Sequence, residues 1–185
     1  MVAVSSRAQR LGGVNFQDPN FETTTYDPWK TYAQSKSANV LFAVELDRLA
    51  KAQGVRAFAV HPGLIPSTGI GRYASGKNAR ASLLHKAMTG AMNKLNIIKL
   101  INLTKKDPSE KFKSIKQGAA TSIWCATSDS LREMGGVYCE DSNIAIAVSG
   151  KTLESHGVCP WAIDTDYAQK LWLLSEKLTG VKFEI

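Results

Sequence analysis

Residues 55–63 read Val55-Arg56-Ala57-Phe58-Ala59-Val60-His61-Pro62-Gly63. The first six residues are a β-rich run, which the proline and glycine stop, so we predict a strand over 55–60. Upstream, Asp27-Pro28 supplies a helix cap with proline at the first helical position, and good helix formers continue to Gly54. The sequence therefore predicts a helix over 28–53 and, after a single glycine turn, a strand. Together they are half of a βαβ unit.

Further strands and helices are predicted on both sides of this unit. A strand is predicted over 1–5, and Gly135-Gly136 precedes another over 137–139. Asp107-Pro108-Ser109-Glu110 predicts the start of a helix to about residue 128. Its expected inward residues are Ile115, Ala119, Ile123 and Ala126. A last helix is predicted over about 164–178, with one face made of Ala168, Leu171, Trp172, Ser175 and Leu178. Strand and helix alternate, which predicts an α/β fold with a parallel sheet covered on both faces.

Two long connections interrupt this alternation. Residues 7–27 form a polar segment rich in turn residues, and loops of that length tend to be functional. Residues 64–80 are predicted to be a glycine-containing loop, and 81–103 have roughly helical spacing of apolar and basic residues. We expect the stretch 77–106 to form a lid over a substrate mouth, lined by Leu84, Met88 and Met92.

Composition indicates one globular domain. The hydrophobic fraction of 44% excludes intrinsic disorder. A length of 185 residues fits one domain rather than two. It has neither a long apolar run nor a signal-peptide pattern, so we expect a soluble, cytoplasmic protein. Cys125, Cys139 and Cys159 are widely spaced and odd in number, which fits a reducing compartment, and we expect buried thiols rather than a metal site.

The net charge of +7 is concentrated between residues 77 and 116, which hold ten basic residues and two acidic ones. Such a segment could bind nucleic acid, an acidic membrane or a phosphorylated ligand, or be a solvated face. Apolar residues are interleaved with the lysines, and no aromatic stacking platform accompanies them. The pattern therefore favours peripheral membrane contact through 77–106 over nucleic acid.

One pair on the long helix has a spacing that suits proton transfer. Tyr32 and Lys36 lie four residues apart and so share one helical face. A neighbouring ammonium favours the phenolate and lowers the pKa of a tyrosine toward neutral pH. Ser5-Ser6 closes the first strand, and ligands of such sheets lie beyond the carboxyl ends of the strands. A serine hydroxyl there could bond the oxygen on which charge develops.

The wider context of this pair resembles the short-chain dehydrogenase/reductase family. The residues that carry the resemblance are the run Tyr32-Ala33-Gln34-Ser35-Lys36-Ser37-Ala38-Asn39, the preceding Val4-Ser5-Ser6 and the following Val60-His61-Pro62-Gly63. The sequence looks most like the retinol dehydrogenase branch and the WW-domain-containing oxidoreductases, with some likeness to protochlorophyllide reductases. The likeness extends to Gln117-Gly118-Ala119-Ala120-Thr121, Gly135-Gly136-Val137-Tyr138 and Leu171-Trp172, and so covers nearly the whole chain.

The resemblance implies a role for each matching residue. Tyr32 matches the general acid/base, and Lys36 matches the residue that lowers the tyrosine pKa and bonds the nicotinamide ribose. Ser6 matches the substrate-orienting hydroxyl and is preferred to Ser5, because this branch places its serine second in the pair. Pro62-Gly63-Leu64-Ile65 matches the turn beneath the nicotinamide, with Ser67 or Thr68 near the carboxamide. His61 belongs to the same turn and is left out of the catalytic set.

The family's cofactor half does not occur in this sequence. Its glycine-rich turn, the charged residue after its second strand and its Asn-Asn-Ala-Gly stretch would lie upstream of Met1. We therefore interpret residues 1–185 as a single, incomplete domain, the carboxyl-terminal half of a doubly wound Rossmann-type fold. Because the missing half selects between NAD and NADP, NADP is expected from family habit alone, with NAD left open.

The leading prediction is an oxidoreductase that transfers hydride between NAD(P)(H) and a carbonyl or alcohol group of a small apolar substrate. A homodimer through the Tyr32 helix is expected. One alternative is a truncated, non-catalytic remnant that binds partners, and another is a basic membrane-surface module built on residues 77–116.

Overall fold

The computed structural model describes residues 1–66, 90, 97–149 and 156–184. The strands are β1 (Val2–Val4), β2 (Phe58–His61), β3 (Val137–Glu140) and β4 (Asn143–Ile144), and the α-helices are α1 (Pro28–Ala50), α2 (Ile97–Thr104), α3 (Ile115–Thr127), α4 (Pro160–Ile163) and α5 (Thr165–Thr179). Short 3-10 helices span Arg7–Leu11, Lys51–Gln53, Pro108–Glu110 and Asp129–Leu131. Ser67, Thr68, Leu84, Met88 and Met92 lie outside the described residues.

The strands form one sheet in the order β1-β2-β3-β4. β1, β2 and β3 are parallel, with Val2 opposite Phe58 and Phe58 opposite Val137. β4 runs antiparallel to β3 after a tight turn in which Asp141 and Ser142 both have positive φ. The sequence predicted the three parallel strands and did not predict β4 or α4, because neither short segment spans enough residues to show a period.

The sheet is covered on both faces, as predicted. All four residues of β2 are buried, and the strand alternates between the two layers. Ala57 and Ala59 share a core cluster with α1, whereas Phe58 and Val60 share one with Cys125 of α3. The α/β fold with a parallel, doubly covered sheet is therefore confirmed.

α1 forms where its caps predict it. The Asp27 carboxylate accepts hydrogen bonds from the backbone N–H groups of Trp29 and Lys30, at 2.9 and 2.8 Å, and Pro28 occupies the first helical position. At the other end, Asp47 accepts two bonds from the Arg56 guanidinium and one from the Ala57 N–H, each 2.9 Å long. The end of α1 is thereby tied to the start of β2.

The predicted helix after residue 107 begins later than expected, and its predicted inner face is wrong. Residues 108–110 form only a 3-10 turn, and α3 begins at Ile115 after a capping box between Ser114 and Gln117. Its buried residues are Gly118, Thr121 and Cys125. The predicted inward set is exposed, as at Ile115 and Ile123, and the same is true of Ala119 and Ala126. Small residues face inward because α3 comes close to the sheet at Cys125 and to the turn after β2 at Gly118, which lies against the Ile65 side chain.

α5 packs along α1 by part of its predicted face. Ala168 is buried, and the Trp172 ring stacks on Phe42 with ring centroids 5.8 Å apart. Ser175 and Leu178, at the far end of the predicted face, are exposed instead. Across the described ranges, no helix combines the length and apolarity needed to cross a bilayer.

Candidate active site

The end of β1 is joined to the middle of α1 by side-chain hydrogen bonds. The Ser5 hydroxyl donates to the Lys36 carbonyl at 2.7 Å, and Ser5 itself is buried. In return, the Lys36 ammonium donates to the Val4 carbonyl at 3.2 Å, and the Asn39 amide donates to the same oxygen at 2.8 Å. Lys36 is therefore fixed at the carboxyl end of β1, where ligands of parallel sheets bind.

Tyr32 and Lys36 lie together on one face of α1, as their spacing predicts. The Lys36 Nζ is 5.5 Å from the centroid of the Tyr32 ring. Burial lowers the pKa of the Lys36 ammonium, because a charged group loses hydration there. The pair therefore presents a phenol beside a cation that is itself partly withdrawn from water.

Ser6 differs from Ser5 in what its hydroxyl does. The Ser6 Oγ accepts a 3.2 Å bond from the Ala8 N–H and so caps the 3-10 helix Arg7–Leu11. A hydroxyl that accepts one bond keeps its own proton to donate. The Ser5 hydroxyl donates its proton to α1, whereas the hydroxyl of half-buried Ser6 still has a proton to donate at the same strand end.

The turn after β2 is held by the segment that leads into α3. Gly63 has a φ of +88°, a conformation that L side chains rarely adopt. Leu64 bridges to Phe112, and the Lys113 N–H donates to the Leu64 carbonyl at 2.8 Å. The Ile65 side chain lies against Gly118. The predicted nicotinamide turn is thus a fixed backbone feature beside the end of β2.

Several buried polar groups meet at the carboxyl ends of β2 and β3. His61 lies opposite Glu140 in the sheet, and both are buried. Both His61 ring nitrogens, the Tyr138 hydroxyl, the Glu140 Oε2 and the Arg7 Nε are buried without a hydrogen-bond partner among the described residues. Burial, together with the charges of Arg7 and Lys113, lowers the pKa of His61 to about 3. His61 is therefore neutral at physiological pH.

A groove of about 770 Å³ lies beside Pro66, at the end of this turn. Its apolar lining comes from α2 and the start of α3 and includes Ile98, Leu103 and Ile115. Its basic lining is Lys99, Lys111, Lys113 and Lys116. α2 belongs to the described part of the predicted lid, and it forms part of a wall of this groove.

Some residues near the site were missed in the sequence. Asn39 lies three residues after Lys36, so the helical face shared by Tyr32 and Lys36 could have pointed to it. Lys113 gave no such signal, because it is one lysine within a basic run. The three cysteines are free, buried thiols, as expected, and Cys125 and Cys139 belong to one core cluster.

Comparison with known proteins finds relatives that match nearly the whole chain. A Streptomyces antibioticus protein named "Probable oxidoreductase" is 36% identical over 172 residues, which are 93% of this chain and 52% of that protein. Penicillium rubens "Short-chain dehydrogenase/reductase prx1" is 30% identical over 180 residues, 96% of this chain and 46% of its own length. Human "Retinol dehydrogenase 14" is 30% identical over 181 residues, 98% of this chain and 44% of its own length.

Over nearly all its length, the chain is similar to oxidoreductases and to a member of the short-chain dehydrogenase/reductase family. Its relatives include retinol dehydrogenases, as the resemblance in the sequence implied. The chain spans about half the length of the curated relatives that it matches. A scan against models of protein families found no match.

A solved structure has a similar fold over the whole of this chain. The crystal structure of an uncharacterized protein from Mycobacterium paratuberculosis aligns with a TM-score of 0.57 at 26% sequence identity. The alignment covers 100% of this chain and 51% of that one. The fold of this chain therefore corresponds to about half of that solved structure, and the α/β fold class predicted from the sequence is confirmed.

Proposed function

We propose that this chain carries the catalytic side of an oxidoreductase that transfers hydride between NAD(P)(H) and a carbonyl or alcohol group of an apolar substrate. The observation that supports this most directly is the placement of Tyr32 and Lys36. They share one face of α1, and Lys36 is bonded to the end of β1. Relatives named as oxidoreductases match the chain over nearly all its length.

The residues at the strand ends fit a nicotinamide nucleotide. Lys36 uses one of the three N–H donors of its ammonium on Val4, which leaves two for ribose hydroxyls. Gly63, with its φ of +88°, sets the shape of the turn that Pro62 and Ile65 complete, and we propose that the nicotinamide ring lies against this turn. When bound, the cofactor would supply or accept the hydride. We propose NADP rather than NAD, on the habit of the family.

Each polar residue of the site then has a separate task. In the reductive direction, the Tyr32 hydroxyl donates a proton to the alkoxide oxygen that forms from the carbonyl. Lys36 stabilises the resulting phenolate electrostatically. Ser6 donates a hydrogen bond to the same substrate oxygen and so orients it. Ser5 and Asn39 act indirectly, because they hold α1 and Lys36 against β1.

Replacing Tyr32 by phenylalanine tests this proposal. The change deletes the proton donor and little surface, so we expect kcat to fall about 10²–10⁴-fold while cofactor affinity stays the same. Tyr26→Phe is the matched control, because Tyr26 is an exposed tyrosine in the preceding loop. The assay uses a complemented enzyme. In it, this chain is combined with the complementing part of the Streptomyces antibioticus relative, which is the part that this chain does not match. Equal turnover in both variants would reject the acid/base role.

Calorimetry on this 185-residue chain alone separates the enzyme from the remnant alternative. A dinucleotide needs its pyrophosphate held at a helix amino terminus behind a glycine-rich turn, and this sequence offers only the nicotinamide side. We therefore expect very weak NADPH binding by the chain alone and binding once the complementing part is added. Failure to bind in both states would favour the remnant that acts as an interaction protein. Micromolar binding by the chain alone would show that our account of the cofactor site is wrong.

Membrane-surface contact by α2 is a second candidate function. Leu100 and Leu103 are 65% and 75% exposed, and Lys99, Lys105 and Lys106 accompany them. Such a surface complements an anionic lipid bilayer. If α2 serves instead as the lid, replacing the three lysines by glutamine will change substrate affinity and leave sedimentation with phosphatidylserine vesicles unchanged. Each lysine near an anionic surface is worth about 1 kcal/mol, so a true peripheral protein would be released.

A further inference from the structure

The side chain of Lys113 crosses the turn that follows β2. A methyl group built on Gly63 would lie against the Cδ of Lys113 and 2.9 Å from its Cε. The lysine stem thus covers the one position in this turn where the backbone has neither a Cβ nor an ordinary φ. The Lys113 backbone N–H also donates to the Leu64 carbonyl at 2.8 Å.

The far end of the Lys113 side chain is anchored on a different element. Its ammonium forms an ion pair with the Asp141 carboxylate, in the tight turn between β3 and β4. The Lys113 side chain is only 15% exposed. Burial lowers the pKa of its ammonium and the charge of Arg7 lowers it further, while the nearby Glu140 carboxylate opposes both. The cation is therefore placed among fixed charges and does not extend into water.

The segment that carries Lys113 is itself fixed from the opposite side. The Asn102 amide of α2 donates to the Phe112 carbonyl at 2.8 Å, and its oxygen accepts from the Phe112 N–H at 2.8 Å. Asn102 pairs with residue 112 in the way a neighbouring strand would. Hydrogen bonds therefore link α2 to the segment 112–113, and link that segment in turn to residues 62–65.

We propose that Lys113 is a positioning residue for the cofactor. Its side chain acts as a strap, meaning that it holds the Pro62–Ile65 turn in the shape that accepts the nicotinamide. This inference rests on the proposed function, because it assigns that turn to the cofactor. The Lys113 stem lies against Gly63, the Lys113 backbone N–H bonds Leu64, and the Lys113 ammonium pairs with Asp141 in the turn between β3 and β4. Lys113 does not touch the reacting atoms, so its effect appears in cofactor binding and only weakly in the chemical step.

Hydrogen exchange on the full 185-residue chain tests the strap without any activity. Lys113→Met keeps the stem and removes the charge, Lys113→Arg keeps the charge, and Lys116→Met makes the same change at an exposed lysine of α3. We expect the backbone amides of residue 113 and of residues 63–65 to exchange about tenfold faster in Lys113→Met, the effect of losing one hydrogen bond to a charged group. Asp141→Asn should reproduce this, and Lys113→Arg should restore protection. Equal exchange in Lys113→Met and Lys116→Met would overturn the strap.

Kinetics of the complemented enzyme then tests positioning. We expect KM for the cofactor to rise about tenfold in Lys113→Met and to return in Lys113→Arg, while kcat changes less than threefold. A faster-exchanging turn with an unchanged KM would overturn the positioning role. If Tyr32→Phe remains active, the proposed function fails, but the exchange experiment still judges the strap. If Tyr32→Phe is inactive and KM does not move, only the Lys113 inference fails.

Discussion

Lys36 links the backbone of β1 to the proposed chemistry of Tyr32. It donates to Val4 at 3.2 Å and lies 5.5 Å from the Tyr32 ring. We expect Lys36→Ala to lower turnover and also to weaken cofactor binding, because one ammonium performs both tasks. Steady-state kinetics and calorimetry on the complemented enzyme measure the two effects separately. Lys30→Ala, at an exposed lysine earlier in α1, is the control. A variant impaired in only one property would show that the two roles belong to different residues.

His61 gives the free energy of unfolding a predictable pH dependence. Its pKa is about 3 in the folded chain, against an ordinary value of 6.5, because burial disfavours the charged ring. Between those values the unfolded state binds more protons than the folded state, so stability is full above pH 6.5 and is lost as the pH falls.

The slope for this single proton is about 1.4 kcal/mol per pH unit. Urea unfolding between pH 6.5 and about 5, where ordinary Asp and Glu carboxyl groups remain largely ionised, measures it. We expect His61→Asn to remove most of the slope and His156→Asn, at a half-exposed histidine, to keep it. A slope that survives in His61→Asn would assign the protons to another group.

At the scale of elements, the junction of α1 and β2 depends on Asp47. Its carboxylate takes two bonds from Arg56 and one from the Ala57 N–H. Asp47→Ala removes the carboxylate bonded to the partly buried Arg56 guanidinium, which keeps its bond to the Arg132 carbonyl, and it removes the acceptor of the buried Ala57 N–H. Removing one member of such a pair costs about 3–5 kcal/mol. Asp129→Ala is the control, since the Asp129–Arg132 pair is exposed and should contribute nothing measurable. Chemical denaturation of the two variants checks the difference, and equal midpoints would contradict it.

Capping and periodicity predicted α1, β2 and the parallel sheet because those signals are local. Asp27, Pro28 and Gly54 act within one turn of the backbone that they shape. The inner face of α3 was not predictable in that way. Ile115 and Ile123 have the period of a buried face, yet close approach to the sheet at Gly118 and Cys125 selects small residues. Only a three-dimensional neighbour, here Ile65, shows which face can come near.

The candidate site was predictable for the same reason, and only in part. Tyr32, Lys36 and Ser6 belong to motifs of a few residues, so the sequence could point to them. Lys113 reaches Gly63 across a long connection, and no local pattern marks that meeting. The sequence therefore indicates the residues proposed for chemistry better than the residues that hold them.

Considered as a whole, the molecule exposes two surfaces that a folded protein would ordinarily cover. β1 pairs only with β2 among the described strands, and Val4 at its end is 51% exposed. Ile115 and Ile123 on α3 are 66% and 59% exposed. An open strand edge and an apolar helix face both favour association.

We expect the isolated chain to self-associate through these surfaces. Light scattering after size-exclusion chromatography should show a lower mass for the double variant Ile115→Gln, Ile123→Gln than for the unaltered chain. The homodimer through the Tyr32 helix remains our second proposal for the assembly. α1 is largely covered by α5, so that dimer would include the exposed Leu173 of α5. Leu173→Gln is thus the matched change, and a lower mass in that variant alone would favour the dimer.

The parallel register of the sheet also bears on how the chain reaches its native state. Phe58 pairs with Val2 on one side and Val137 on the other, so the central strand has both neighbours far away in the sequence. Each pairing of β2 requires a long loop to close first, and the loss of chain entropy on closure slows folding. During that delay the apolar β2 is available to other chains. Slower synthesis at a lower temperature should consequently raise the fraction of newly made protein that stays in solution.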